Sequence, residues 1–230
     1  GERRREGRGE RRGKGSLGVC SGLLRHGMSV ANVQKDAFKQ NTNERFTDAG
    51  LAPRGRQQAE AFSLVLRRFA ADLVVVSPIR RALQTALHAL DPLPSSPPIL
   101  ILPVLFEGAG EGCENDGRVV TDIVSDVELQ CFQHWHQVDP SALGPGRWWE
   151  EQRRLNKAGG GRKRQVEEFA SFLASRRERR VAVFSHWGLV EAMSGRSPSN
   201  GGPALDFVFA GVQDGVPPRR WAWVHARKRE

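Results

Sequence analysis

Polar residues that could act on a phosphate follow four apolar runs of this 230-residue chain. Arg25 and His26 come after the first run, and Arg81 lies in the segment after the second. Glu107 follows the third run and His186 follows the fourth. Ligands of open α/β sheets bind beyond the carboxyl ends of the strands. If the four runs are strands of one sheet, we expect these five side chains to meet at one rim.

The chemistry of these groups favours phosphoryl transfer. A neutral imidazole is nucleophilic near pH 7, so His26 could attack phosphorus and form a phosphoimidazole. The guanidinium groups of Arg25 and Arg81 match phosphate geometry, and a protonated His186 would add a further donor. Glu107 could protonate the leaving group and then activate water, provided that burial or a nearby phosphate favours its protonated form. This scheme requires neither a metal ion nor a cofactor.

Several of these assignments have alternatives in the sequence. Glu111 and Glu114 lie in the Gly-rich segment after Glu107, and either could replace it if the loop is displaced. Asn32 could donate to a phosphate oxygen or could cap a helix or turn. Trp187, beside His186, is expected at the mouth of the pocket.

The same chain suggests sites that we set aside. Cys131, His134 and His136 lack a fourth zinc ligand at the usual spacing. Ser77 and Ser185 lack the surroundings of a nucleophile elbow, so a hydroxyl nucleophile is not expected.

The elements that must position these residues alternate between strands and helices. Apolar runs predict strands at 19–24, 72–76, 99–102, 181–184, 205–210 and 221–224. Helical periodicity predicts helices at 53–69, 79–90, 119–135, 166–174 and 189–193. This alternation predicts a three-layer α/β/α domain with a mostly parallel central sheet.

Composition and charge set the domain limits and exclude several classes of protein. Residues 1–16 hold seven basic and three acidic residues and no apolar one, so we expect a disordered basic tail at 1–17 and one domain at 18–228.

No apolar run approaches the length of a membrane helix. Residues 1–16 lack the pattern of a signal or transit peptide. The three cysteines are odd in number and widely spread, which excludes a disulfide framework and fits a reducing compartment. A cytoplasmic protein is therefore expected, although a first residue of Gly leaves open whether residues precede it. The scattered Arg pairs favour solvated faces over nucleic-acid binding.

Taken together, the motifs resemble the histidine phosphatase superfamily, which includes the phosphoglycerate mutases. The resemblance rests on five segments. The first is Arg25-His26-Gly27, with Asn32 five residues after Gly27, and the others are Asp48 to Ala59, Ser77 to Thr85, Leu105-Phe106-Glu107, and Ser185 to Gly188. Ala52 and Ile79 are mild departures from the family pattern. Glu107 followed by Cys113 and Glu114 further resembles the phosphoglycerate mutase-like proteins of plants and fungi.

The resemblance implies a phosphoglycerate mutase-like fold and a phosphatase that acts through a phosphohistidine on His26. Arg25, Arg81 and His186 would hold the phosphate, Glu107 would be the proton donor, and Gly27, Asn32 and Trp187 would contact the substrate, a small phosphorylated molecule. Two alternatives stay open: a mutase-type phosphoryl transfer, and an inactive member that binds acidic partners. The acidic residues near Glu107 favour hydrolysis, because they would repel a bisphosphate. The physiological substrate and the oligomeric state do not follow from the sequence.

Overall fold

A seven-stranded sheet forms the centre of the computed structural model, which describes residues 19–38, 46–108, 113–195, 208–212 and 222–223. The strands are β1 Val19–Arg25, β2 Leu73–Val76, β3 Ile99–Ile101, β4 Val138–Asp139, β5 Arg180–Ser185, β6 Val208–Val212 and β7 Ala222–Trp223. Their order is β4-β3-β2-β5-β1-β6-β7. The first five strands of that order pair in parallel. Strand β6 pairs with β1 in the antiparallel sense, and β7 pairs with β6 in the antiparallel sense.

Register brings the carboxyl ends of the central strands together. Arg25 at the end of β1 pairs with Ser185 at the end of β5. On the other side of β5, Val76 at the end of β2 pairs with Phe184. The residues that follow these three strands therefore start from neighbouring points on one edge of the sheet.

Helices cover both faces of the sheet. They are α1 Val30–Phe38, α2 Pro53–Ala61, α3 Ser63–Phe69, α4 Arg80–Leu90, α5 Val120–Val124, α6 Val127–Gln130, α7 Trp148–Gly159, α8 Arg162–Ala174 and α9 Trp187–Ser194. Side chains alternate along a strand, and the alternation in β2 shows the two layers. Val74 and Val76 pack with α3 and α4 in one apolar core, whereas Leu73 and Val75 pack with α8 and α9 in the other.

This architecture confirms the predicted three-layer α/β/α class, but several boundaries were wrong. The helix expected at 53–69 is two helices, α2 and α3, which meet at Phe62. The single helix expected at 119–135 is replaced by α5, α6 and a 3-10 turn at Trp135–Gln137. The region expected at 205–210 is partly outside the described residues, and its strand is Val208–Val212. The expected tail at 1–17 lies outside them entirely.

Three elements of the described chain were not predicted from the sequence. Helices α1 and α7 and the two-residue strand β4 have no clear apolar pattern. The buried face of α7 shows why, because it continues from Trp148 and Trp149 to Gln152 and Asn156, which are polar. Helix α8 also starts at Arg162, earlier than the expected 166. Gly160 and Gly161 have positive φ angles of 88° and 63°, and this reversal after α7 allows α8 to begin directly.

Candidate active site

Backbone hydrogen bonds hold the three central strand ends in one place. The N–H of His26 donates to the carbonyl of Ser185 over 2.9 Å. The N–H of Ser77 donates to the carbonyl of Phe184 over the same distance. The segments that carry His26, Ser77 and His186 are thus continuations of the sheet and inherit its rigidity.

His26 is buried and its hydrogen bonds select one tautomer. Its Nδ1 lies 2.7 Å from the carbonyl oxygen of Gly27, which can only accept, so Nδ1 carries the proton. The other nitrogen, Nε2, accepts from Nε of Arg81 over 3.2 Å. Burial, followed by the charges of Arg81 and Arg25, lowers the pKa of His26 well below 6.5. The imidazole is therefore neutral, with its lone pair on Nε2.

Arg81 lies at the centre of the site, in the first turn of α4. Its guanidinium donates to the carbonyl of Glu114 (2.6 Å), to Oδ1 of Asn115 (2.8 Å) and to Nδ1 of His186 (3.3 Å). Burial lowers the pKa of Arg81, and the nearby carboxylates of Asp48 and Glu107 oppose that shift. The sequence interpretation missed Asn115, because a single Asn in a Gly-rich segment carries no recognisable signal.

His186 faces His26, with ring centroids 5.1 Å apart. Since Arg81 donates to Nδ1 of His186, its Nε2 carries the proton and donates to Oγ of Ser77 over 2.8 Å. Burial and then the charges of Arg81, His26, Arg25 and Arg162 lower the pKa of His186 well below 6.5. This differs from the protonated donor expected from the sequence, because the groups around the ring are cationic.

Glu107 lies at the same rim and is bound to two other elements. Its Oε1 accepts from Nη2 of Arg162 over 2.7 Å, and its Oε2 accepts from the N–H of Gly188 over 3.3 Å. Arg25 is buried at the end of β1; burial lowers its pKa, and the charge of Glu107 opposes that effect. The carboxyl group and the two predicted phosphate-binding arginines therefore lie close together.

Two glycines allow the loop after β1 to pack directly on α2. A methyl group on Gly55 would lie 2.0 Å from the carbonyl oxygen of Met28, and one on Gly27 would lie 2.5 Å from the carbonyl oxygen of Gly55. The N–H of Gly27 donates to Oγ1 of Thr85, which in turn donates to the carbonyl of Arg81. The loop that carries His26 is thus fixed to both α2 and α4.

A family model for the histidine phosphatase superfamily (branch 1) matches residues 22–197 of this sequence. The chain belongs to the histidine phosphatase superfamily. The match spans every segment that carried the resemblance. No curated protein sequence matches the chain.

Solved structures of low sequence identity share the fold of this histidine phosphatase superfamily member. YhfR of Bacillus stearothermophilus is 18% identical, with a TM-score of 0.53 over 90% of this chain and 95% of that one. A candidate alpha-ribazole-5'-P phosphatase from Escherichia coli str. K-12 substr. MG1655 is 18% identical, with a TM-score of 0.52 over 90% and 94%. A mycobacterial hydrolase is 20% identical, with a TM-score of 0.50 over 90% and 96%. At these identities the similarity shows the fold, and it agrees with the predicted class.

The remaining predicted residues lie nearby in different situations. Asn32 forms a capping box with Ser29: its Oδ1 accepts from the N–H and the hydroxyl of Ser29, and its own N–H donates back to Ser29 Oγ. Its proposed contact with substrate stays a prediction. Trp187, the first residue of α9, is 41% exposed beside His186. Arg80, the residue before Arg81, pairs with Glu128.

A buried carboxylate orders the segments around Arg81. Asp48, with a left-handed φ of 47°, accepts from the N–H of Arg80 at the start of α4 and from Nε of Arg118, both over 2.7 Å. Arg118 also donates to Asp126, the residue that caps α6. Burial raises the pKa of Asp48, and the hydrogen bonds from Arg80 and Arg118 oppose this. The network joins the loop before α2, the start of α4 and the segment that carries Asn115.

Other parts of the described chain lack the features of a site. No group of three or more His, Cys, Asp or Glu in the described residues is arranged to hold a metal ion. Among the helices of the described ranges, none is long and apolar enough to cross a membrane. A cavity of about 610 Å³ lies at the opposite edge of the sheet, where β2 and β5 begin, and no residue of the candidate site lines it. Its walls include Leu66, Leu90, Leu93, Asp72 and Arg180.

Proposed function

We propose that this protein is a metal-independent phosphomonoesterase that acts through a phosphohistidine on His26. Membership in the histidine phosphatase superfamily supports phosphatase activity, and small phosphorylated molecules are the substrate class we propose. The observation that carries the mechanism is the neutral tautomer of His26, with Nδ1 bound to Gly27 and the lone pair of Nε2 beside Arg81.

In the first step, Nε2 of His26 attacks phosphorus and the bond to the leaving oxygen breaks. Arg25 and Arg81 donate to the phosphoryl oxygens, so the charge that spreads over these oxygens meets preorganised cations. The neutral His186 orients Arg81 by accepting from it at Nδ1. Glu107, protonated in the complex with the bound phosphate ester, gives its proton to the leaving oxygen and becomes a carboxylate.

In the second step, water attacks the phosphorus of the phosphohistidine. The Glu107 carboxylate takes a proton from that water, the phosphorus–nitrogen bond breaks, and the electron pair returns to Nε2. Inorganic phosphate leaves and the enzyme regains its initial protonation state. His26 and Glu107 thus each act twice.

The contacts of the site also bear on the two alternatives that the sequence left open, a mutase and an inactive binding protein. The ordered set of two histidines, two arginines and a carboxyl group supports an active enzyme over an inactive binding protein. The acidic residues that argued against a bisphosphate are partly neutralised, because Asp116 pairs with Arg153 over 2.6 Å. Hydrolysis is still favoured over transfer to a bisphosphate, because the carboxylates of Glu107 and Glu114 add negative charge beside Arg81.

The test is hydrolysis of an aryl phosphate with a chelator present, for wild type, His26→Ala and His136→Ala. His136 is an exposed histidine outside the site and serves as the matched control. We expect chelator-resistant turnover in wild type and His136→Ala and its loss in His26→Ala, with an acid-labile phosphoenzyme trapped in wild type. Full turnover by His26→Ala would contradict the mechanism, and absence of turnover in wild type would contradict the proposed function.

A further inference from the structure

Arg162 is a third arginine at the rim that the sequence motifs do not include. It is the first residue of α8, and its Nη2 donates to Oε1 of Glu107 over 2.7 Å. The side chains of Arg162 and Glu107 are 23% and 17% exposed, so the pair is mostly shielded from water. A charge-assisted hydrogen bond in such a place orients a carboxylate more firmly than a surface pair does.

The start of a helix is an unfavourable place for this arginine. Arg162, Lys163 and Arg164 form the first turn of α8, which holds no acidic residue. Cations at a helix N-terminus oppose the helix dipole. Lys163 is 82% exposed and pairs only loosely with Glu167 at 3.9 Å. Arg162 instead reaches across to Glu107, so its interaction offsets the unfavourable position.

Gly188 makes room for this contact. A methyl group on Gly188 would come within 2.5 Å of the guanidinium of Arg162. A side chain at position 188 would therefore push Arg162 away from Glu107. The glycine of the Ser185 to Gly188 motif thus has a specific steric role in this chain.

The two oxygens of Glu107 are held unequally. Oε1 has the short bond to Arg162, whereas Oε2 has a longer bond of 3.3 Å to the N–H of Gly188. Oε2 is therefore the oxygen that can turn to a leaving group. The charges that face Glu107 from other elements are those of Arg25 on β1 and Arg81 on α4.

We infer that Arg162 is a positioning residue that fixes Oε1 of Glu107, so that Oε2 exchanges the proton with the leaving group and with water. The inference rests on the proposed function, because it assigns a role in that reaction. In this role Arg162 acts through Glu107 rather than through the phosphoryl group.

The test compares two substrates that differ in their need for an acid. An alkyl phosphate has a poor leaving group that must be protonated, whereas 2,4-dinitrophenyl phosphate expels a stable anion without a proton. For Arg162→Met, we expect kcat/KM, which reports only the steps up to phosphoenzyme formation, to fall about 10- to 100-fold on the alkyl phosphate, the range of a partly lost general acid. On the dinitrophenyl ester, kcat/KM should change little. Lys163→Met removes the same charge one position along α8 and is expected to leave both rates unchanged.

Three further variants separate positioning from other roles. Arg162→Lys keeps a cation and is expected to restore part of the lost rate. Gly188→Ala keeps Arg162 but displaces it, so it should reproduce the selective loss even if Arg162→Met folds poorly. In a Glu107→Gln background, Arg162→Met should cause almost no additional loss, since both changes remove one function.

The outcomes are distinguishable. Three results would overturn the role of Arg162 while leaving the phosphatase intact. They are an equal loss of kcat/KM on both substrates, a further loss in the Glu107→Gln background, and an unchanged kcat/KM for the alkyl phosphate in Arg162→Met and Gly188→Ala. Absence of turnover by wild type on both esters would overturn the proposed function and this inference with it.

Discussion

The contact between Gly55 and the loop after β1 predicts that Gly55→Ala harms both stability and catalysis. The new methyl group would lie 2.0 Å from the carbonyl oxygen of Met28. Both partners are backbone, so no side chain can rotate away. The loop and α2 must separate by about 1 Å to reach an allowed contact, and close-packed interiors resist such a shift.

The magnitude follows from two opposing terms. Overpacking of this kind costs about 1–3 kcal/mol. Replacing Gly by Ala inside a helix returns about 0.5–1 kcal/mol. The free energy of unfolding should therefore fall by about 1–2 kcal/mol, which lowers the Tm of a chain of this size by about 2–8 °C. Met28 is two residues from His26, and a displacement near 1 Å at a nucleophile costs about 100-fold in rate.

Thermal unfolding and aryl phosphate hydrolysis measure the two effects. Gly144→Ala is the matched control, because a methyl group there meets nothing within 4 Å and the residue is not among the glycines with positive φ. If Gly55→Ala shows the same Tm and the same kcat/KM as Gly144→Ala, the close approach does not position His26 and the reasoning fails.

Three more predictions concern the groups around the two histidines. Asn115→Ala removes an acceptor from Arg81, and since a hydrogen bond to a charged group contributes about 1.5–3 kcal/mol, kcat/KM should fall about 10- to 100-fold in steady-state assays. Ser77→Ala removes the acceptor of Nε2 of His186 and should reduce kcat/KM about 5- to 10-fold, the worth of one neutral hydrogen bond. The pKa values of His26 and His186 are lowered by burial, so below about pH 6.5 the unfolded chain binds protons that the folded protein does not. The urea concentration at the midpoint of unfolding should therefore fall as the pH drops below that value. Above it, the two histidines should not affect this concentration.

Two of these outcomes, those for Asn115→Ala and for the pH dependence, have a control. Asn115→Asp keeps an acceptor and should retain more activity than Asn115→Ala, and equal activity in both would refute the contact's importance. A double variant, His26→Gln with His186→Gln, should lose part of the pH dependence of the urea midpoint. An unchanged slope in that variant would show that other groups cause the dependence.

The residues that end strands were predictable from sequence, because strand ends define where ligands bind. His26, Arg81 and His186 each follow an apolar run, and register alone brings them together. The residues that orient them were not predictable in the same way. Asn115 and Arg162 reach the site from irregular or polar segments, and only the packing of α7 and α8 places those segments at the rim.

The prediction of helices and their boundaries was wrong for a related reason. Helix α7 buries Gln152 and Asn156, which bind Arg164 of the next helix instead of packing in an apolar core. A periodicity method that counts apolar residues does not detect such a face. The split of the expected 53–69 helix at Phe62 is likewise set by the separate packing of α2 and α3 against α4.

Because α4 is buried, the site has two parts whose backbone amides exchange hydrogen with solvent at different rates: α4 and the irregular segments beside it. Nine of the eleven residues of α4 are buried, including Arg81 and Thr85. Amide protons of such an element exchange with solvent only when the whole domain opens, whereas irregular segments such as 113–119 open locally. Deuterium should thus enter the backbone around Asn115 long before it enters α4. The half of the site that we propose to hold the phosphate is kinetically fixed, and adaptation to different leaving groups would fall to the segments that border it.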